Sequence, residues 1–315
     1  MPIPENKRKI PVIVGPTAIG KTSLSVAVAK AINAEIISAD SRQIFRYMDI
    51  CTAKPTLEER GSIPHHFIDH IDPDQYYNAG QYGADGRVVI EEIWARNKEV
   101  VVVGGSGLYI RALIDGFIGE GEKNESVRLE IRERIARLGL ESVYHELEIV
   151  DSAAAAKIHP NDAKRIERAL EVFELTGKRI SEKHAEQVVE INFKPVIIGL
   201  TCEREELYRR IEARVDDMIR RGVIEETKQL IAKGYSPHLT SMESLGYREI
   251  IAHLEGEISY ERMVELFKQG SRNYAKRQLT WFRRDPRIRW FDVTKYTAVE
   301  LVDEVILFFQ ASENH

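Results

Sequence analysis

The chain has 315 residues, enough to bury a sizeable core as one large domain with an insertion or as two domains, with the apolar and charged fractions of an ordinary globular protein. No apolar run nears the roughly 20 residues that cross a bilayer, and the N-terminal stretch MPIPENKRK lacks an apolar signal region, so no membrane role and a cytoplasmic location are expected. Cys51 and Cys202 stand far apart without Cys-x-x-Cys spacing, which argues against a disulfide framework and a structural zinc, and the net charge of −5 by itself argues against nucleic acid.

Residues 10–14 (IPVIV) predict a short buried strand, and Lys21 to Ile32 a helix with small and apolar residues at helical spacing. A second strand, AEIISA at 34–39, ends at Asp40. A third, EVVVVGG, spans about 99–105 and runs into the turn Gly104-Gly105-Ser106-Gly107, and a fourth, PVIIGLT, covers 195–201. Strands this apolar, alternating with helices, predict an α/β fold: a P-loop NTPase-like core whose parallel sheet is flanked by helices on both faces. Ligands in such sheets sit beyond the carboxyl ends of the strands. The segment after residue 14, Asp40, the Gly104–Gly107 turn and the stretch after Thr201 all fall there, so they are expected to converge on one cleft.

Between about 120 and 190 the texture turns charged and helical, without a convincing strand, and GEGEKNES (119–126) predicts a linker. In HPNDAKRIERALEVFELTGK, Asn161 or Asp162 is placed to cap a helix, Gly177 to end it, and Ile166, Ala169, Leu170 and Phe173 form its apolar stripe. This predicts an α-helical insertion domain at 120–190, set between the first part of the core (1–119) and its completion (191–315). After 203 the chain is expected to be mostly helical to its end. Lys268, Arg272, Lys276, Arg277, Arg283, Arg284, Arg287 and Arg289 face a single acid there, Asp285, and Tyr274, Trp281, Phe282 and Trp290 interleave with them. Such a local basic run offsets the acidic average, because rings and backbone charge are how single-stranded RNA loops are held. Trp281 and Phe282 are expected in the core.

GPTAIGKT (Gly15, Pro16, Thr17, Ala18, Ile19, Gly20, Lys21, Thr22) fits G-x-x-x-x-G-K-[ST] and sits between a strand and a helix. Its backbone N–H groups and the helix N-terminus face phosphate oxygens, Lys21 adds a charge, and the Thr22 hydroxyl is suited to ligate Mg²⁺. P-loop ATPases usually carry a metal-binding acid at the end of a neighbouring strand. Here Val100–Val103 ends in Gly104-Gly105-Ser106, and the acid is Asp40 at the end of the second strand. Read alone, Asp40 is either a turn residue or a carboxylate in the phosphate cleft able to act as a base. The bound phosphates need not be a phosphoryl donor; they can be a leaving group. His65, His66 and His70 with Asp69 match no zinc spacing, and packing roles are expected for them.

With these residues in hand, the chain resembles the tRNA dimethylallyltransferase family (tRNA isopentenyltransferases) over nearly its whole length. The resemblance is carried by GPTAIGKT (15–22), ADSRQIF (39–45), PHHFID (64–69), VGGSGLYIRAL (103–113), DAKRIERALEV (162–172), LYRRIEARVDDM (207–218), SLGYREI (244–250) and YAKRQLTWFRR (274–284). Ser106 stands where Thr is more usual, and SLGYRE where Ile-Gly-Tyr-Lys is common. The resemblance implies transfer of a dimethylallyl group from dimethylallyl diphosphate to N6 of the adenosine 3′ of the anticodon, with Mg²⁺ and with the tRNA anticodon stem-loop as partner. It implies that Asp40 accepts the N6 proton, that Thr17 and Arg214 support the diphosphate end, and that Ser106 lies near the acceptor. For the tRNA it implies contacts from Asp40, Ser41, Arg42, Gln43, Ser106, Lys164, Arg165, Arg168, Gly246, Tyr247, Arg248, Lys276, Arg277 and Gln278. A two-sided grip by core and insertion, in a monomer, is expected. A nucleotide or small-molecule kinase uses the same loop but leaves the basic-aromatic segment and the missing strand-end acid without a role. An ATP-switched RNA-binding protein leaves Asp40 without one.

Overall fold

The computed structural model describes residues 7–116, 124–186 and 189–312. Six strands form one all-parallel sheet: β1 (Arg8–Val14), β2 (Ala34–Ala39), β3 (His65–His66), β4 (Glu99–Gly104), β5 (Phe193–Thr201) and β6 (Arg289–Asp292), in the order β3-β2-β4-β1-β5-β6. The alternating side chains of β1 feed two cores: Ile10, Val12 and Val14 pack on one face and Ile13 on the other. On Ile13's face lie α1 (Lys21–Ala31), α10 (Arg204–Arg220) and α14 (Ala298–Ala311), through Leu24, Leu207, Ile211 and Val305. The opposite face is covered by α3 (Ala79–Ala95), α4 (Gly107–Ile114), α11 (Val223–Ala232), α12 (Tyr247–Leu254) and α13 (Tyr260–Phe282). A short α2 (Leu57–Arg60) lies between β2 and β3. This is the flanked parallel sheet that the apolar strand texture predicts.

Two strands escaped the sequence reading. β3 is only two residues long. β6 interrupts a C-terminal part that is otherwise mostly helical, as expected: RWFD pairs with β5 from Ile198↔Arg289 to Thr201↔Asp292. A four-residue edge strand carrying arginine lacks the apolar run that marks a buried one, so its pairing comes from β5 and not from its own composition.

Between β4 and β5, α5 (Glu125–Leu138), α6 (Leu140–Val150), α7 (Ser152–Ala155), α8 (Ala163–Thr176) and α9 (Ile180–Glu186) gather around a separate core of Ile131, Val143, Leu147, Ile166, Leu170 and Ile180. Most of the expected linker at 119–126 lies outside the described residues, and its last residues belong to α5, which Asn124 caps by accepting from the Val127 N–H at 3.2 Å. Asp162 caps α8 and Gly177, at φ +66°, ends it. The stripe of α8 differs at one position. Phe173 is only half-buried, and the fully buried Glu171 and Val172 take part instead.

Candidate active site

The site begins as a row of strand ends. Val14 pairs with Gly104 and Gly104 with Ala39, so the residues that follow, Gly15, Gly105 and Asp40, leave three adjacent strands side by side. β4 fits between its neighbours because it ends in glycine: a Cβ on Gly104 would stand 2.1 Å from the Ala39 carbonyl oxygen.

The loop Gly15–Thr22 satisfies itself. Lys21 is held over the turn, its Nζ donating to the carbonyls of Gly15 (3.0 Å) and Pro16 (2.7 Å). Burial, and next the nearby Arg214 cation, push its pKa down to about 7, while Asp40 pulls the other way. Arg214, on α10, donates from Nη1 to Thr17 Oγ1 at 3.2 Å and from Nη2 to the Ala53 carbonyl at 3.5 Å. Burial lowers its pKa too, opposed first by Asp40. Neither cation has a salt-bridge partner among the described residues, and the pull of Asp40 on both does not offset desolvation. The Thr17 N–H donates to Gln278 Oε1 at 2.8 Å.

Across β4, Asp40 makes the turn with one oxygen: its Oδ1 accepts from the backbone N–H of Arg42 (2.9 Å) and Gln43 (3.4 Å), and Oδ2 has no hydrogen bond among the described residues. Ser106 Oγ accepts from the Ser41 N–H at 2.9 Å and donates to Ser41 Oγ at 3.1 Å. Gln43 donates to the carbonyls of Thr52 (3.4 Å) and Ala53 (3.1 Å), while Arg42 reaches the Thr240 carbonyl at 3.1 Å. Tyr109 and Tyr274 border this side, both raised in pKa by burial and secondarily influenced by Asp40 and Arg42. Asp40, Ser41, Gln43, Thr17, Lys21, Arg214 and Ser106 are thus brought together.

The remaining expected RNA residues divide. Lys276 and Arg277 are exposed on α13, and Lys164 and Arg165 on α8. Arg168 instead pairs with buried Glu171 at 2.6 Å. Two expectations are corrected. Tyr247 is fully buried with its hydroxyl donating to Glu226 at 2.7 Å, and the Gly246 N–H donates to Glu249 at 2.7 Å, so of that trio only Arg248 offers a side chain to solvent. Gln278 is buried with both amide atoms bonded inside the protein. A third correction concerns Trp281, expected in the core: it is 38% exposed, whereas Phe282 is buried. Trp281 lines a cavity of about 1080 Å³ between the core and the insertion helices. Arg111, Arg284 and Asp115 border it from one side and Lys157, Lys164 and Arg165 from the other, and its floor reaches Val14 at the root of the loop.

Sequence reasoning missed the support behind the Ala53 carbonyl. Lys54 is buried, donates to the Phe45 carbonyl at 2.7 Å and lies 2.5 Å from both Asp49 and Asp69. Glu226 accepts from the N–H groups of Asp49, Ile50 and Cys51 at 2.9, 2.7 and 3.1 Å. These groups hold the stretch that ends in Ala53, itself at φ +51°. No local spacing announces the Glu226 contacts, which join residues some 175 positions apart. His66 meets Glu35 at 2.7 Å and His65 meets the Ile63 carbonyl at 2.9 Å, both of them packing contacts at the sheet edge.

A family model described as IPP transferase matches residues 43–285. The chain belongs to the IPP transferase family. It is 48% identical over 293 residues to a tRNA dimethylallyltransferase of Thermotoga neapolitana, covering 93% of this chain and 95% of that one. To a tRNA dimethylallyltransferase of Geobacter metallireducens it is 45% identical over 289 residues, covering 91% and 94%. Among solved structures, the full-length tRNA isopentenylpyrophosphate transferase of Bacillus halodurans aligns with a TM-score of 0.71 at 39% identity over 97% of this chain and 98% of that one. A eukaryotic dimethylallyltransferase acting on tRNA aligns with a TM-score of 0.76 at 32% identity, over 90% of this chain and 74% of that one. The IPP transferase relationship thus spans both the sheet and the insertion helices.

Proposed function

We propose that this chain transfers a dimethylallyl group from dimethylallyl diphosphate to N6 of the adenosine 3′ of the anticodon in tRNA and releases diphosphate. The observation that carries this reading is the row of strand ends. The Asp40 carboxylate stands one strand away from the P-loop, with a free oxygen, and the intervening strand ends in glycine where a kinase-type metal acid would be. An exocyclic adenine amine is a weak nucleophile, so the departing diphosphate must be stabilised. Loop N–H groups, Lys21 and Arg214 supply that stabilisation, and Asp40 Oδ2 accepts the N6 proton.

The donor chemistry fits Mg²⁺. The Thr22 hydroxyl has no hydrogen bond among the described residues, and the described residues hold no cluster of three His, Cys, Asp or Glu. Mg²⁺ keeps several waters and substrate phosphate oxygens, and in P-loop proteins the loop hydroxyl is among its few protein ligands. Bound there, the ion supplies further neutralisation of the leaving group.

For the tRNA, the cavity between the two halves supports a two-sided grip on the anticodon stem-loop, with Lys164 and Arg165 on one side and Arg111, Arg284, Lys276 and Arg277 on the other. The acceptor base turns out of its stack to reach Asp40. The reading takes the enzyme to work as a monomer in the cytoplasm. Among the described residues no helix is long and apolar enough to cross a membrane.

The test combines purified protein, Mg²⁺, labelled dimethylallyl diphosphate and unmodified tRNA whose anticodon is followed by adenosine. Label at that adenosine, lost in Asp40→Asn, is the expected result. No label, with acceptor-dependent ATP turnover, returns the protein to the kinase reading.

A further inference from the structure

Helix α13 docks on the Gly104–Gly107 turn along one face. Tyr274, Gln278 and Trp281 are spaced four and three residues apart and therefore share that face. Each meets a different residue of the turn. The Tyr274 phenol lies beside Ser106, which works against the burial that raises it. A Cβ on Gly105 would lie 2.2 Å from Gln278 Nε2, and one on Gly107 would lie 2.1 Å from Trp281 Nε1. The two glycines leave the space that the helix side chains fill.

Gln278 does more than pack. Its Oε1 accepts from the Thr17 N–H at 2.8 Å, and its Nε2 donates to the Gly105 carbonyl at 3.0 Å. Beyond the strand pairing that ends at Val14 and Gly104, no turn or side-chain hydrogen bond among the described residues runs directly between the loop 15–22 and the turn 104–107, so this buried carboxamide is the polar tie past the strand ends. Only an amide can both accept and donate here: glutamate lacks the donor and leucine lacks both. Thr17 also carries the bond from Arg214, so a shift of Thr17 moves Arg214 as well.

We propose that Gln278 is a positioning residue that sets the separation of the diphosphate loop from the acceptor turn, acting through Thr17 and Gly105 and touching neither substrate. The inference rests on the reading of loop 15–22 as the diphosphate site. It differs from the contact with RNA that the sequence pattern suggests for this position.

The test compares wild type, Gln278→Leu, Gly105→Ala and the double variant. The readouts are transfer kinetics, affinity for an anticodon stem-loop RNA and calorimetric affinity for inorganic diphosphate. Gln278→Leu is expected to lower kcat by about 100-fold, the scale of an ångström-sized misplacement, and to weaken diphosphate binding several-fold even without RNA. RNA affinity is expected to stay within twofold of wild type. Gly105→Ala, which displaces the amide without removing it, should give the same pattern. The double variant should be no worse than the worse single one, because both break one tie. Lost RNA affinity with unchanged diphosphate binding, or fully additive effects, would overturn the proposal. Should Gln278→Leu not fold, Gly105→Ala decides alone by the same split between diphosphate and RNA. Wild-type protein that binds diphosphate but transfers nothing would refute the transferase reading while leaving this one measurable by calorimetry.

Discussion

The strand-end cleft and the insertion helices both bury charge, and they handle it in opposite ways. In the insertion, the fully buried Glu171 carboxylate is ringed by Arg128 at 2.9 Å, Arg168 at 2.6 Å and the Asn124 N–H at 2.8 Å. Its pKa falls despite burial, because the bonds from those arginines outweigh desolvation. Around it Arg132 and Arg134 pair with Glu167, Glu146 and Glu174. In the cleft, Lys21 and Arg214 are half-buried with carbonyls and a hydroxyl as hydrogen-bond partners, and desolvation drives both pKa values down against the pull of Asp40. Two cations beside a single carboxylate leave the cleft suited to an anion. The insertion uses charge to hold itself together, and the cleft holds charge in readiness for a ligand.

That contrast breaks first at Asp40. Asp40→Asn preserves the turn-making oxygen and removes the base, so single-turnover transfer should fall about 10²- to 10⁴-fold while thermal stability and RNA affinity hold. A loss of stability instead would make Asp40 a turn residue only. The mirror experiment is Glu171→Ala, which strands two arginines in the insertion. It should cost roughly 3–5 kcal/mol in denaturant unfolding while kcat, measured where the variant is folded, stays near wild type. Because the Glu171 pKa is lowered on folding, its contribution is complete above the ordinary glutamate range and is lost as pH falls through and below it. Acid unfolding should therefore be shallower in the variant. Lys21 titrates in the other direction. With its pKa near 7, the free enzyme loses that charge as pH rises. Affinity for dimethylallyl diphosphate should fall between pH 7 and 9, by at most about tenfold per unit, with proton uptake on binding detectable by calorimetry in two buffers. Lys21→Arg should flatten the profile, since arginine stays charged. The smallest effect is expected from Lys276→Ala with Arg277→Ala. The slope of log affinity for the stem-loop against log salt should drop by about 0.7 for each phosphate contact removed, and an unchanged slope would take α13 out of the RNA grip.

The loop, the four long strands and Asp40 at its strand end were legible because each is written locally: a glycine-spaced motif, an apolar run, an acid where the run stops. What stayed hidden depends on partners. β6 takes its pairing from β5, and the ion pair of Arg168 with Glu171 inside the insertion core has no mark in the sequence. Gln278 sat within a cationic run and was assigned to the surface with it. A signal was present, however. Met263, Phe267, Ser271, Ala275, Gln278 and Phe282 recur at helical spacing and are all buried, so the periodicity of α13 already set Gln278 inward. Glu226 had no such trace, since its work is done on backbone groups far away in sequence.

The order of strands also acts as a ruler. Neighbouring strands lie about 4.8 Å apart, and β4 separates the strand that feeds the loop from the one that ends in Asp40. The roots of the proposed leaving-group site and base therefore stand about 10 Å apart. An acid on β4 itself would sit at half that distance, close enough to serve a metal on the phosphates. Moved one strand outward, it leaves a gap wide enough for a departing oxygen, a five-carbon group and an incoming nitrogen in line. The sheet thereby measures out the reactants before either has bound.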